Sequence, residues 1–87
     1  MDLHTKLDEL LRLADQIGLT IHRAPLGGDG GGFCIVKGQR RLFVDIQADV
    51  ETRYEHTLTA LASLPETDKH FLLPEVREDI DKQRERG

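Results

Sequence analysis

Residues 31–46 have the sequence GGFCIVKGQRRLFVDI, and the predicted fold is built around this segment. Two runs rich in β-branched and aromatic residues, 33–37 and 40–46, lie on either side of Gly38 and Gln39. A two-residue connection that begins with glycine favours a tight type I′ or type II′ turn between antiparallel strands. The stretch therefore predicts a β-hairpin whose turn consists of Gly38 and Gln39.

Side chains alternate between the two faces of this predicted hairpin. The predicted register places Val36 opposite Arg41 and Cys34 opposite Phe43. One face is predicted to join the core, and it carries Phe33, Ile35, Leu42, Val44 and Ile46. The other face is mixed in character, and it carries Cys34, Val36, Arg41, Phe43 and Asp45.

The rest of the chain completes one small α+β domain over residues 1–87. Apolar residues at helical spacing predict a helix between Asp2 and Gly18, and Asp49 is placed to begin a second helix. Alternation over residues 19–24 predicts a first strand. The predicted order is helix, three strands, helix and a short C-terminal helix, with the strands forming an antiparallel meander.

Composition excludes several classes of protein. The 87 residues include 12 Lys or Arg and 16 Asp or Glu, which gives a net charge of −4 and argues against a surface devoted to nucleic acid. One cysteine excludes an internal disulfide framework and a cysteine-built zinc site. The sequence shows neither a signal-peptide core nor an apolar run long enough for a membrane, so we expect a cytoplasmic protein without a membrane partner.

Two motifs carry a resemblance to known proteins. GGFCIVKGQRRLFVDI and the later LPETDKHFLLPEVREDI (64–80) resemble a family of small uncharacterised bacterial proteins. A G-G-x-C-x-V-K-G-x-R hairpin and an L-P-E-V-R-E-like C-terminal helix recur in that family. The resemblance implies a small bacterial domain, and it implies no activity because none is established for the family.

The glycine-rich segment LGGDGGG (26–32) suggests one possible binding function. Backbone N–H groups of such a loop can surround a phosphate, and a basic hairpin can contact nucleic acid. Against this, no P-loop lysine follows the glycines, and Asp29 would repel an anion. Nucleic acid is therefore an unfavoured partner, and the residues of this alternative ligand site are Gly30, Gly31, Gly32, Lys37, Arg40 and Arg41.

Cys34 carries a third hypothesis, thiol chemistry. Arg41 and Asp45 share its predicted face, and His22 is placed to join them from the neighbouring strand. No nucleophile signature surrounds Cys34, and free cysteines most often pack as small hydrophobes. The four histidines show no metal-binding spacing. We therefore predict no catalytic residues, no metal site and no cofactor.

The favoured function is a protein-interaction or binding module without catalytic activity. Three strands leave two open edges and one uncovered sheet face, and such surfaces are covered either by the same chain or by a partner. Alternatively, the C-terminal helix of the same chain covers the exposed sheet face. We predict a homodimer, or a complex with an unknown protein, formed through the mixed face defined above.

Overall fold

The computed structural model describes residues 1–86 and confirms the predicted α+β class. The predicted domain also includes Gly87, which lies outside the described residues. The third helix was predicted to be short, but it is as long as the second, with 13 residues each. In chain order the elements are α1 (Leu3–Gln16), β1 (Thr20–Ala24), β2 (Gly31–Val36), β3 (Gln39–Asp45), α2 (Val50–Ala62), the 3-10 helix Pro65–Lys69 and α3 (Pro74–Arg86).

Aspartates begin the first two helices, as predicted. The Asp2 carboxylate accepts a hydrogen bond from the backbone N–H of Thr5 at 2.8 Å. Asp49 accepts the equivalent bond from Thr52 at 2.8 Å. The first N–H groups of a helix have no partner within it, so these carboxylates define where α1 and α2 start.

The core lies between the sheet and the helices. Its fully buried side chains come from α1, β3, α2 and α3, and α3 packs against α2 and α1. Among residues 1–86, none of the helices has both the length and the apolar character that crossing a bilayer requires. The largest fully buried apolar side chains are Leu10, Leu13, Leu42, Leu61, Val76 and Ile80.

The predicted antiparallel meander is wrong, because the sheet is mixed. Its strand order is β1-β3-β2, in which β1 runs parallel to β3 and β2 runs antiparallel to β3. The loop over residues 25–30 passes the end of β3, and it thereby places β1 and β2 on opposite edges of the sheet. The helices pack on the face that carries Phe33, Leu42 and Val44.

The predicted hairpin turn is displaced by one residue. The turn consists of Lys37 and Gly38, whose φ angles of 52° and 79° match the two positive values of a type I′ turn. Each residue of β2 consequently pairs two positions away from the predicted partner, so that Cys34 lies opposite Arg41 and Phe33 opposite Leu42. A shift of two leaves every side chain on its predicted face, because the side-chain period is two.

Two residues assigned to the core face are nevertheless exposed. Ile35 is 62% exposed and Ile46 is 54% exposed. Ile35 lies next to the hairpin turn, opposite Arg40. Ile46 follows the last residue of β3. Both positions lie near an end of the hairpin, and alternation along a strand does not indicate how far the helices extend over it.

Candidate interaction surface

The Asp45 carboxylate holds the loop that passes the end of β3. Its side chain is fully buried, and its oxygens accept backbone N–H bonds from Leu26 at 2.9 Å, Gly30 at 3.1 Å and Gln47 at 2.9 Å. Burial alone would raise the pKa of Asp45, but the hydrogen bonds from backbone N–H groups outweigh it and lower the pKa from 3.8 to about 2. Asp45 was predicted to lie on the interaction face, and the structure encloses it beneath this loop.

The three glycines of the predicted ligand loop line the start of β2. A side chain at Gly30 would meet the ring of His56 at 2.7 Å, and one at Gly31 would lie 2.0 Å from the Phe43 carbonyl oxygen. The Gly31 carbonyl accepts a hydrogen bond from His56 Nδ1 at 3.0 Å. Gly32 follows in the same strand and borders a groove on α2. Gly30 and Gly31 therefore allow close approach to α2 and to β3, whereas a side chain at Gly32 would meet nothing within 4 Å.

The basic residues of the predicted ligand site lie on different sides of the sheet. Lys37 is exposed in the hairpin turn. Arg40 lies on the helix side, where it donates to the Glu66 carboxylate at 2.5 Å and to the Ile17 carbonyl at 3.1 Å. Arg41 is half-buried on the opposite face. The hairpin therefore does not gather these three cations into one cluster, and ligand binding there stays a prediction.

The sheet face away from the helices carries most of the predicted interaction residues. Cys34, Val36 and Phe43 are half-buried there, together with Arg41. The His22 ring stacks on Phe43, with 5.2 Å between ring centroids and 23° between planes. His22 was expected beside the cysteine strand, but parallel pairing of β1 with β3 puts it opposite Phe43 instead.

The free edge of β2 borders a groove of about 440 Å³ that sequence patterns did not predict. Because the groove is formed where two distant segments meet, no local pattern could have identified it. The exposed Ile35 lies on the same edge, two residues after Phe33. The groove is lined by Gly32 and Phe33 from β2 and by Glu55, His56, Thr59, Ala60 and Ser63 from α2.

A separate polar cluster joins the three helices. Tyr54 Oη donates to Asp79 Oδ2 at 2.6 Å, and Lys6 Nζ lies 2.6 Å from the same oxygen. Burial, together with the hydrogen bond to Asp79, raises the pKa of Tyr54, so the phenol stays protonated. Through these contacts the Asp79 carboxylate of α3 links Lys6 of α1 and Tyr54 of α2.

Within residues 1–86, no group of three or more His, Cys, Asp or Glu side chains is arranged to hold a metal ion. The chain matches no family model, and searches of the curated proteins and of the solved structures find no match. The resemblance to small bacterial proteins therefore stays a prediction.

Proposed function

We propose that this protein is an interaction module without catalytic activity that self-associates through the free edge of β2. An edge strand offers unpaired N–H and C=O groups to any further strand, and proteins protect such edges with charges, prolines or covering segments. The six residues of β2, GGFCIV, include neither a charged residue nor a proline. The strand itself therefore carries no charge or proline that would protect its edge.

Exposure of Ile35 is the observation that carries this proposal. This large aliphatic side chain has 62% of its surface in water, and it lies on the same edge, two residues after Phe33 in the lining of the groove. Removing it from water would contribute roughly 1–2 kcal/mol per copy, since complete burial of such a side chain is worth about 1.5–3 kcal/mol. A symmetric pair would gain this contribution twice.

The predicted interaction face lies immediately next to this edge. Pairing two copies at β2 would make one continuous face from both sheets, carrying Cys34, Val36, Arg41 and Phe43 from each copy. These half-buried residues would then lie along the centre of a larger surface. The face predicted from alternation thus becomes part of the proposed assembly, and the contact itself is made by the strand edge.

Sedimentation equilibrium at micromolar concentrations tests this proposal with two matched variants. Ile35→Lys places a charge on the β2 edge, whereas Ile46→Lys replaces another isoleucine of similar exposure that follows β3. We expect a dimer for the unmodified chain and for Ile46→Lys, and a monomer for Ile35→Lys, with unchanged far-UV circular dichroism. A monomeric unmodified chain, or equal association of the two variants, would contradict the proposal.

A further inference from the structure

Backbone groups of β2 point alternately toward β3 and toward the free edge. The Asp45 N–H donates to the Gly30 carbonyl at 3.4 Å, which makes these two residues a hydrogen-bonded pair. Hydrogen-bonded and non-hydrogen-bonded pairs alternate along an antiparallel ladder. The intervening residues Gly31, Phe33 and Ile35 therefore direct their N–H and C=O groups away from β3.

Two of these three residues have both backbone groups available for another strand. The Gly31 carbonyl already accepts from His56 Nδ1 at 3.0 Å, which also shows that this group faces outward. Phe33 and Ile35 remain, with two N–H donors and two C=O acceptors between them. A second copy offers the same four groups, so a symmetric antiparallel pair can form four hydrogen bonds when Phe33 of each copy faces Ile35 of the other.

Resting on the proposed self-association, we infer that a second copy adds its β2 antiparallel to this β2, with Cys34 facing Cys34 of the partner subunit across a two-fold axis. The neighbouring registers are worse. If Ile35 faced itself, Phe33 would face Lys37, which lies in the turn with φ 52°. If Phe33 faced itself, Ile35 would face Gly31, whose carbonyl is occupied.

The same register directs the exposed isoleucine into the groove. Directly opposite residues of an antiparallel pair lie on one face of the sheet. The partner's Ile35 therefore lies beside Phe33 on the helix side, where Thr59, Ala60 and Ser63 of α2 form the wall. By symmetry, Ile35 of this copy occupies the equivalent groove of the partner. Each copy thus supplies both the protruding side chain and the space that receives it.

Charge also favours a second copy as the occupant. Antiparallel pairing brings the hairpin turn of one copy, with the exposed Lys37, to the start of β2 in the other. Asp29 lies just before that start, and the exposed Glu55 lies on the adjacent stretch of α2. A basic end therefore meets an acidic end twice in the dimer, and such complementarity selects the antiparallel orientation.

Oxidative cross-linking of the full chain tests this register. In a non-hydrogen-bonded antiparallel pair the Cα atoms are about 4.5 Å apart, which lies within the range of about 4.4–6.8 Å for a disulfide. We expect copper phenanthroline to join two chains through a disulfide between their Cys34 residues. The cross-linked fraction should not change when the protein is diluted, as long as it remains dimeric. The matched control is the double variant Cys34→Ser, Val36→Cys, whose thiol lies on the same face and, in this register, faces Gly32 of the partner subunit. The two introduced thiols of a dimer are four residues apart along the paired strands, beyond the reach of a disulfide, so this variant should cross-link far more slowly.

Sedimentation of the same samples separates the two proposals. A dimer in which Cys34 does not cross-link, or in which the control cross-links as fast, would overturn this register and leave self-association standing. A chain that stays monomeric at micromolar concentrations would overturn both. Dimerisation together with cross-linking specific to Cys34 would support both.

Discussion

The two edges of the sheet differ in their protection against further strands. The edge strand β1 carries His22 and the exposed Arg23, and Pro25 follows its last residue. The other edge strand, β2, has no charged residue, and Ile35 is exposed on it. Both strands pair with β3, so the contrast does not arise from their place in the sheet. Charge and proline discourage pairing at one edge, and their absence leaves the other edge available.

The largest expected effect is a loss of stability from a substitution that displaces β2 from the sheet. Gly31→Ala would place a methyl group 2.0 Å from the Phe43 carbonyl oxygen, in a strand residue with φ 96°. Because the obstructing atom is backbone, we expect a loss of at least about 3 kcal/mol in the free energy of unfolding, measured by urea denaturation. The edge of β2 would be lost together with its pairing to β3.

The matched control for that variant is Gly28→Ala. Gly28 has a similar φ of 90°, but nothing lies within 4 Å of the position of a side chain. We expect only the conformational cost of a left-handed residue, about 1–2 kcal/mol. Equal losses for the two variants would show that close packing of β2 against β3 does not explain the effect.

The next largest effect is a loss of thermal stability when the loop over residues 25–30 loses its contact with Asp45. This loop places β1 and β2 on opposite sides of β3. Asp45→Asn keeps one acceptor oxygen and replaces the other with an NH₂ group, so either the Gly30 N–H or the N–H groups of both Leu26 and Gln47 lose their acceptor. We expect the Tm at pH 7 to fall by about 10 °C, which thermal unfolding followed by circular dichroism measures. An unchanged Tm would contradict the role given to this carboxylate.

The pH dependence of the same variant isolates the charge. The pKa of Asp45 is about 2 in the folded chain against an ordinary 3.8, so the carboxylate stabilises the fold above pH 3.8 and loses this contribution as the pH falls toward 2. The difference in Tm between the unmodified chain and Asp45→Asn should therefore shrink between pH 5 and pH 2. A constant difference over that range would contradict the lowered pKa.

The smallest expected effect tests the antiparallel orientation of the two β2 strands in the proposed dimer. Lys37→Glu would replace two attractions with two repulsions in the dimer, and we expect its Kd to rise about three- to tenfold at low salt. Adding Glu55→Lys to the same chain should restore the affinity. Sedimentation measures both variants, and failure of the double variant to recover would contradict the antiparallel placement of the hairpin turn.

Some features of the candidate site were predictable from sequence, and others were not. Alternation placed Cys34 and Phe43 on the face away from the helices, because side-chain direction depends only on local periodicity. It did not predict that Asp45 is enclosed, since two of the donors to its carboxylate come from a loop, 19 and 15 residues earlier in the chain. The groove beside β2 could not be predicted from sequence either, because most of its lining residues belong to α2.

By itself, the sequence determined the α+β class, the starts of the first two helices and the face on which each hairpin side chain lies. These depend on spacing and on capping groups a few residues apart. The three-dimensional packing was needed to establish that β3 lies between the other strands and that Ile35 is exposed. Those outcomes depend on hydrogen bonds and packing between distant segments, among which the buried carboxylate of Asp45 joins the crossing loop to the end of β3.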